Sequence, residues 1–298
     1  MTTITVVDEY HGGKGFVTTE QVRVTEGSLR GPVSFHAPGV PVPKGFQVKL
    51  DRAAAGWQRV VQDAARQVRL THGEVGAFVP VSVVLQFASD VTGGPARTDL
   101  LCRAVLDALV HARLLHDDSG VVDLVATRRP VSLSPSGGPG VWVTVFPFPI
   151  FGSGLSAVAS GACGSGAVSF TVEAVPRVLG DGREGLRHGT TNKWLDAVRG
   201  VAPTVVGPCT LISSFGLARW LEPAGVDYPI VNGRDVDKLT RAVAHAGGFD
   251  VTDFVSSKRI TEPPGGVFTV ASGALLTQKV LGSVFRDAGQ SHQSPAGV

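Results

Sequence analysis

Two kinds of segment follow one another along the chain. In one kind hydrophobic and polar residues alternate, which indicates a strand; in the other, hydrophobic residues recur at helical spacing, which indicates an amphipathic helix. The first helical stretch carries Trp57, Val61 and Val68 on one face. The order of elements predicts a small mixed sheet with helices packed on one face, an α+β unit. The predicted strands are Val33–Phe35, Val79–Phe87, Val121–Thr127 and Val141–Val145, and the predicted helices lie around Trp57–Val68 and Asp99–Leu115.

The same pattern returns in the second half of the chain, with matching residues in the same order. Five matches in one order predict a duplicated unit, whose later segments in the second copy are shortened by deletions. The matches are Val33–Phe35 with Val168–Phe170, Trp57 and Val61 with Trp194 and Val198, Asp99–Val105 with Asp237–Val243, Val121, Asp123 and Arg129 with Val251, Asp253 and Arg259, and Val143–Val145 with Phe268–Val270.

The repeat sets the predicted domain boundaries. The chain has 298 residues, 43% of them hydrophobic, which is enough for two ordinary domains with buried cores. The predicted regions are an N-terminal extension over 1–30, a first copy over 31–150, a linker over 151–166, a diverged second copy over 167–285 and a flexible tail over 286–298.

Charge and cysteine content limit the possible classes of protein. The net charge of +2 gives no global basic field, although a local basic groove remains compatible with it. Cys102, Cys163 and Cys209 are odd in number and far apart, so neither a zinc site nor a disulfide framework is expected. Prolines and glycines interrupt the uncharged stretch Val141 to Val172, which argues against a membrane span. We therefore expect a protein of the reducing cytoplasm.

Acidic residues gather at the start of the second-copy helix. Asp235 and Asp237 lie on the same side of an extended segment, Arg241 follows one turn later, and Asp250 comes after a short loop. Carboxylates with a neighbouring cation suit Mg²⁺, which prefers oxygen ligands and can also hold a phosphodiester. The alternative interpretation is a capping Asp with a surface ion pair, since Asp is common before helices.

The first copy departs from this pattern. Arg97 stands where the second copy has Asp235, and Asp99 and Arg103 follow. Asp117 and Asp118 lie after the helix and, by composition alone, read as an ordinary turn. We expect the second copy to hold a metal ion better than the first, because Arg97 replaces a carboxylate.

Three passages of the first copy resemble the RusA family of Holliday-junction resolvases and cover most of residues 31–146. Val33-Ser34-Phe35 and the Pro41–Gly45 turn are similar to its N-terminal strand and turn. Asp99 to Leu109 resembles its central helix, which opens with Asp-x-Asp-Asn followed by a Lys. Asp117 to Leu124 resembles its second acidic turn and the strand after it.

This resemblance implies a metal-dependent crossover-junction endodeoxyribonuclease, with Mg²⁺ or substituting Mn²⁺, acting in recombination and repair. Asp235 matches the first Asp of the motif, Asp237 and Asp99 match the second, and Arg241 and Arg103 match the Lys. The implied catalytic set is Asp235, Asp237, Asp250, Arg241, Asp99, Asp117, Asp118 and Arg103, of which Asp235, Asp237, Asp250, Asp99 and Asp118 are the implied metal ligands.

The family usually acts as a homodimer on four-way junctions, so the two copies are expected to form an intramolecular pseudo-dimer, monomeric and without a membrane partner. A bacterial or phage-infected cell is the expected setting. One alternative is a catalytically degraded protein that still binds branched DNA; another is a structural module with surface acids. The predicted phosphate contacts, which would position DNA without reading its sequence, are Lys44, Arg97, Arg128, Arg129, Lys258 and Arg259.

Overall fold

The computed structural model describes residues 29, 31–43, 52–76, 79–90, 98–134, 136–151, 155, 167–176, 189–218 and 235–272. Lys44 and Arg97 lie outside the described residues, as do the predicted tail and most of the predicted N-terminal extension and linker.

Helices and strands alternate along the chain much as the hydrophobic pattern predicts. The strands are β1 Val33–Pro38, β2 Val81–Ala88, β3 Val121–Arg129, β4 Gly140–Phe146, β5 Ala167–Val172, β6 Pro208–Leu217, β7 Asp250–Ile260 and β8 Gly265–Ser272. The α-helices are α1 Arg52–His72, α2 Thr98–His111, α3 Gly189–Val201 and α4 Val236–Ala246. None of the helices in these described ranges combines the length and the apolar character that a bilayer crossing needs.

The second helix ends earlier than the pattern predicts. α2 stops at His111 because Arg113 adopts a left-handed conformation, with φ at 57°. The amide of Leu114 then donates to the carbonyl of Leu109, and that of Arg113 to Val110. This hydrogen-bond pattern closes a helix, and it directs the chain towards the acidic turn at Asp117.

All eight strands belong to one mixed sheet, in the order β1-β4-β2-β3-β7-β6-β8-β5. The order consists of two four-strand groups, β1-β4-β2-β3 and β5-β8-β6-β7, that meet through β3 and β7. In the first group β1 pairs antiparallel with β4, and β2 pairs in parallel with β3. In the second group β5 pairs antiparallel with β8, and β6 pairs in parallel with β7. The sheet and helices agree with the predicted α+β class.

One continuous sheet replaces the two separate small sheets that the sequence predicts. β3 and β7 pair antiparallel, with Val125 opposite Val255 at the centre of their contact. An unpaired edge on either strand would leave buried backbone groups without partners. Joining the two groups satisfies those groups, which is why the sheet runs through the whole molecule.

The hydrophobic core is also continuous. Strand residues of the core alternate along each strand, so one face of the sheet packs against the helices. Trp57 and Trp194, which the repeat pairs, are both buried in it. Residues from both halves therefore share one core.

Two ion pairs cross the β3–β7 contact. Arg129 Nη1 lies 3.2 Å from Asp253 Oδ2, and Arg259 Nη2 lies 3.0 Å from Asp123 Oδ1. Both carboxylates are fully buried, whereas the guanidinium groups reach towards the surface. Because Asp123 matches Asp253 and Arg129 matches Arg259 in the repeat, each half supplies the same two groups to the contact.

Candidate metal centre

Three aspartates converge beside the central strands. Asp118, Asp235 and Asp237 each offer one carboxylate oxygen, and these atoms all lie within 4.8 Å of one another. This group is called the acid cluster below. In the part of the chain that the structure describes, no second group of three such ligands lies so close together.

The antiparallel pairing of β3 and β7 brings the acid cluster together. Asp118 begins a 3-10 turn, Asp118–Gly120, directly before β3. The start of β3 lies beside the end of β7, since Asp123 faces Ser257. The last residue of α4 leads into the start of β7, and the helix runs in the opposite direction to the strand. The first residues of α4 therefore lie near the end of β7. Asp235 and Asp237 therefore approach Asp118 from the other half of the sequence.

Two oxygens of the acid cluster have no partner among the described residues. The side chains of Asp235 and Asp237 are 0% and 4% exposed, and Asp118 is half-buried. Asp235 Oδ1 and Asp237 Oδ1 are buried and accept no hydrogen bond from the part of the chain that the structure describes, whereas Asp235 Oδ2 is in the ion pair with Lys238. A buried carboxylate oxygen without a donor is costly. An arrangement of acids with unpaired oxygens is what a cation can stabilise, so the three carboxylates can hold a metal ion.

Burial and mutual repulsion raise two pKa values in the acid cluster. The pKa of Asp118 rises to about 7, first through burial and then through the charges of Asp235 and Asp237. Burial and then the charge of Asp235 raise the pKa of Asp237 to about 6, although Lys238 and Arg241 oppose the shift. Without a cation, Asp118 therefore keeps its proton up to about pH 7, and Asp237 keeps its proton up to about pH 6.

Cationic side chains surround the acid cluster. Lys238 forms an ion pair with Asp235 from one turn further along α4. Arg241 is 5% exposed and acts on Asp237. Lys258 is fully buried, and its Nζ donates to the carbonyl of Ser119 at 2.6 Å. Burial lowers the pKa of Lys258 to about 8, while Asp235, Asp118, Asp237 and Asp117 act in the opposite direction.

The prediction that Asp250 joins Asp235 and Asp237 is wrong. Asp250 is exposed at the first residue of β7, whereas Lys258, which acts on the acid cluster, lies near the end of that strand. Eight residues of strand separate the two positions by roughly 26 Å. Asp118 of the first half supplies the third carboxylate instead, because the strand pairing between the halves places its turn there.

The other first-copy candidates lie around the acid cluster without belonging to it. Asp99 is 1% exposed at the start of α2 and stands outside the group of three. Asp117 accepts a 2.7 Å hydrogen bond from the amide of Ser119, so it caps the turn and is not one of the three converging ligands. Arg103 lies on α2, half-buried and one turn after Asp99.

Three of the predicted phosphate contacts are also corrected. Lys258 has no exposed surface, so it cannot reach a phosphate on a bound nucleic acid. Arg129 and Arg259 are held by buried carboxylates at the β3–β7 contact. Arg128, half-buried at the end of β3, is the remaining member of the predicted set within the described residues. The basic strand ends therefore serve mainly to join the two halves.

The role of Lys258 was missed from the sequence, although a signal for it exists. Alternation along β7 places Phe254, Ser256 and Lys258 on one face, and Phe254 belongs to the core. A lysine in register with a core phenylalanine requires buried acids as partners. Those acids come from two places, Asp235 and Asp237 at the start of α4 and Asp118 and Asp117 in the turn before β3.

Comparisons with known proteins add little to this geometry. No family model and no curated protein matches the chain. Among solved structures, it is similar to a cyanuric acid hydrolase from A. caulinodans at 14% identity, with 83% of this chain and 72% of that chain covered and a TM-score of 0.26. No property of that protein is carried over to this chain.

The prediction of a metal-dependent endodeoxyribonuclease is not borne out. The comparisons give no support for a nuclease. The three-aspartate geometry stands independently of that prediction, because it rests on the positions of the carboxylates alone.

Proposed function

We propose that the chain is a RusA-like pseudo-dimer that binds branched DNA with a divalent cation held by Asp118, Asp235 and Asp237. The observation that carries the proposal is the acid cluster, whose ligand oxygens lie within 4.8 Å of one another and whose carboxylates include two buried oxygens without a donor among the described residues. The cation would face the phosphate backbone, which is the part of DNA that attracts positive charge in every sequence.

The strand order supports the pseudo-dimer. β1-β4-β2-β3 and β5-β8-β6-β7 have the same internal pairing and meet through matching strands. The two ion pairs across that contact join matched residues of the two halves. A duplicated unit that pairs with itself within one chain accounts for both features, since a twofold contact uses the same groups twice.

The donor set supports magnesium, with manganese as a substitute. All three ligands are carboxylate oxygens, the hard donors that Mg²⁺ and Mn²⁺ prefer over zinc or copper. Mg²⁺ takes six ligands and keeps several waters, so three carboxylates leave positions for phosphate oxygens. Lys238 and Arg241 would hold the carboxylates in place around the ion.

The presence of one acid cluster favours a binding protein over paired action at two equivalent sites. In the first copy Arg97 stands at the place of Asp235, and the described residues contain no second group of three converging acids. Cys102 and Cys209 are free and buried, which suits the proposed cytoplasmic setting in a bacterial or phage-infected cell.

The test measures junction binding and strand integrity together. A labelled four-way junction is titrated with protein in Mg²⁺ or in EDTA, and binding is followed by fluorescence anisotropy. We expect EDTA or Asp237→Asn to weaken binding about tenfold or more. Asp99→Asn, the matched acid outside the acid cluster, should leave binding within about threefold, well below that loss.

Three outcomes would contradict the proposal. Junction binding of equal strength in Mg²⁺, in EDTA and with Asp237→Asn would remove the role of the cation. Product strands on a denaturing gel would show cleavage and overturn the assignment as a binding protein. An unbranched duplex of the same length should bind more weakly than the junction, and equal binding would remove the preference for branched DNA.

A further inference from the structure

Lys258 connects the two halves at the acid cluster. It lies on β7, in the second half of the chain, and its side chain has no exposed surface. Its ammonium donates to the carbonyl of Ser119 at 2.6 Å, and Ser119 directly follows Asp118 in the turn before β3. A side chain of one half therefore holds the acidic turn of the other.

The turn has internal bonds that set its shape. Asp117 accepts from the amide of Ser119 at 2.7 Å, and the amide of Val121 donates to the carbonyl of Asp118. These bonds stay within a few residues, so they cannot determine how far the turn lies from α4. The β3–β7 pairing brings the turn close to α4, and the bond from Lys258 adds a direct link between the turn and the second half.

The neighbouring acids explain why a charged lysine is stable at this buried position. Asp235, Asp118, Asp237 and Asp117 all favour its charged form and so compensate for part of the cost of burial. An ammonium has three donors, so one donor can serve Ser119 while the group still faces the acids. The ammonium of Lys258 therefore interacts electrostatically with carboxylates of both halves.

We propose that Lys258 is a positioning residue of the cation site, which keeps Asp118 within reach of Asp235 and Asp237. This rests on the proposed cation site and deepens it. The residue does not contact the cation in this proposal; it acts through the turn that carries Asp118. Arg128 matches Lys258 in the sequence repeat but is half-buried at the other end of the β3–β7 contact, so it serves as a control.

Positioning and charge have opposite effects on cation affinity, which makes the proposal testable. A buried positive charge repels an incoming cation, so removing it would tighten binding if charge were its only effect. Removing a residue that positions a ligand weakens binding, typically about 10–100-fold for residues next to metal ligands. The sign of the change distinguishes the two roles.

The experiment titrates Mn²⁺ into the full chain and measures free Mn²⁺ by electron paramagnetic resonance. Lys258→Met should weaken Mn²⁺ binding about tenfold or more, while Arg128→Met stays within about threefold. Lys258→Arg keeps the charge but has a larger head group, so it also displaces the turn and weakens binding. Each Lys258 variant is then combined with Asp118→Asn, and the residual affinity is measured.

A residue that acts through Asp118 loses its effect once Asp118 no longer binds. We therefore expect the Lys258 substitutions to change Mn²⁺ affinity by less than about threefold in the Asp118→Asn background. If Lys258→Met does not fold, Lys258→Arg with and without Asp118→Asn gives the same comparison. Equal weakening in both backgrounds, an unchanged affinity, or tighter binding by Lys258→Met would overturn the proposal.

Failure of the cation site itself gives a different result. If the unsubstituted chain and Asp237→Asn respond identically to Mn²⁺, the proposed cation site is wrong. If the unsubstituted chain binds Mn²⁺ and Asp237→Asn does not, the site stands whatever the Lys258 variants show.

Discussion

At the residue scale, the acid cluster destabilises the folded protein when its carboxylates are charged and no cation is bound. Asp118 and Asp237 both have raised pKa values because burial and neighbouring carboxylates disfavour their charged forms. Each binds a proton more tightly in the folded protein than in the unfolded chain. A group of this kind stabilises the fold below its unfolded pKa and loses that contribution as the pH rises through its folded pKa.

Replacing Asp118 should therefore stabilise the cation-free protein at high pH. Between about pH 4 and pH 7, unsubstituted protein should lose stability that Asp118→Asn retains, on the order of 1–2 kcal/mol by pH 8. Urea unfolding in EDTA at pH 5 and pH 8 measures the difference. A variant that is equally destabilised at both pH values would contradict the assigned pKa of Asp118.

At the scale of elements, the β3–β7 contact carries polar groups where a sheet interior usually carries apolar ones. Asp123 accepts hydrogen bonds from Ser82, Ser257 and the amide of Ile150, besides its ion pair with Arg259. A buried charge with this many donors is well satisfied. If the two halves separated, Asp123 would lose Ser257 and Arg259, its two partners from the second half.

Breaking either ion pair of the β3–β7 contact should be costly. Arg129→Met or Arg259→Met leaves a buried carboxylate without its cation, and we expect a loss of about 2–3 kcal/mol in the free energy of unfolding, somewhat below a fully buried pair because the arginines are partly exposed. Arg66→Met, which removes the exposed pair with Asp63, is the control and should cost less than about 0.5 kcal/mol. Equal effects from Arg66→Met and Arg259→Met would show that the central pairs contribute no more than a surface pair.

At the scale of the whole molecule, the two halves share one sheet and one core. Eight strands form a single hydrogen-bonded order, and the hydrophobic cluster includes residues from every strand. The acid cluster itself needs Asp118 from one half and Asp235 and Asp237 from the other. Folding of the two halves and assembly of the site are therefore linked.

We expect the intact chain to unfold in one cooperative transition. Differential scanning calorimetry should give one peak, with calorimetric and van't Hoff enthalpies that agree, because the β3–β7 contact cannot open without exposing Asp123 and Asp253. Mn²⁺ should move that peak upward as a whole, since binding stabilises the folded form alone. Two resolved peaks would show that the halves unfold independently.

The sequence by itself determined the elements and the repeat. The hydrophobic pattern is a local property of the sequence. It predicted a helix over Trp57 to Val68 and a strand over Val121 to Thr127, and the structure contains both. The acidic start of α4 was readable in the same way, because Asp235 and Asp237 lie two residues apart. The end of α2 was missed, since the left-handed Arg113 has no pattern that distinguishes it from a helical residue.

Only the tertiary structure decided which residues meet. Asp118 and not Asp250 completes the acid cluster because β3 pairs with β7, and that register depends on hydrogen bonds between segments far apart in the chain. The same pairing buries Lys258 and gives Arg129 and Arg259 to carboxylates rather than to solvent. Local patterns report which face of an element is buried, but they carry no information on which partner covers it.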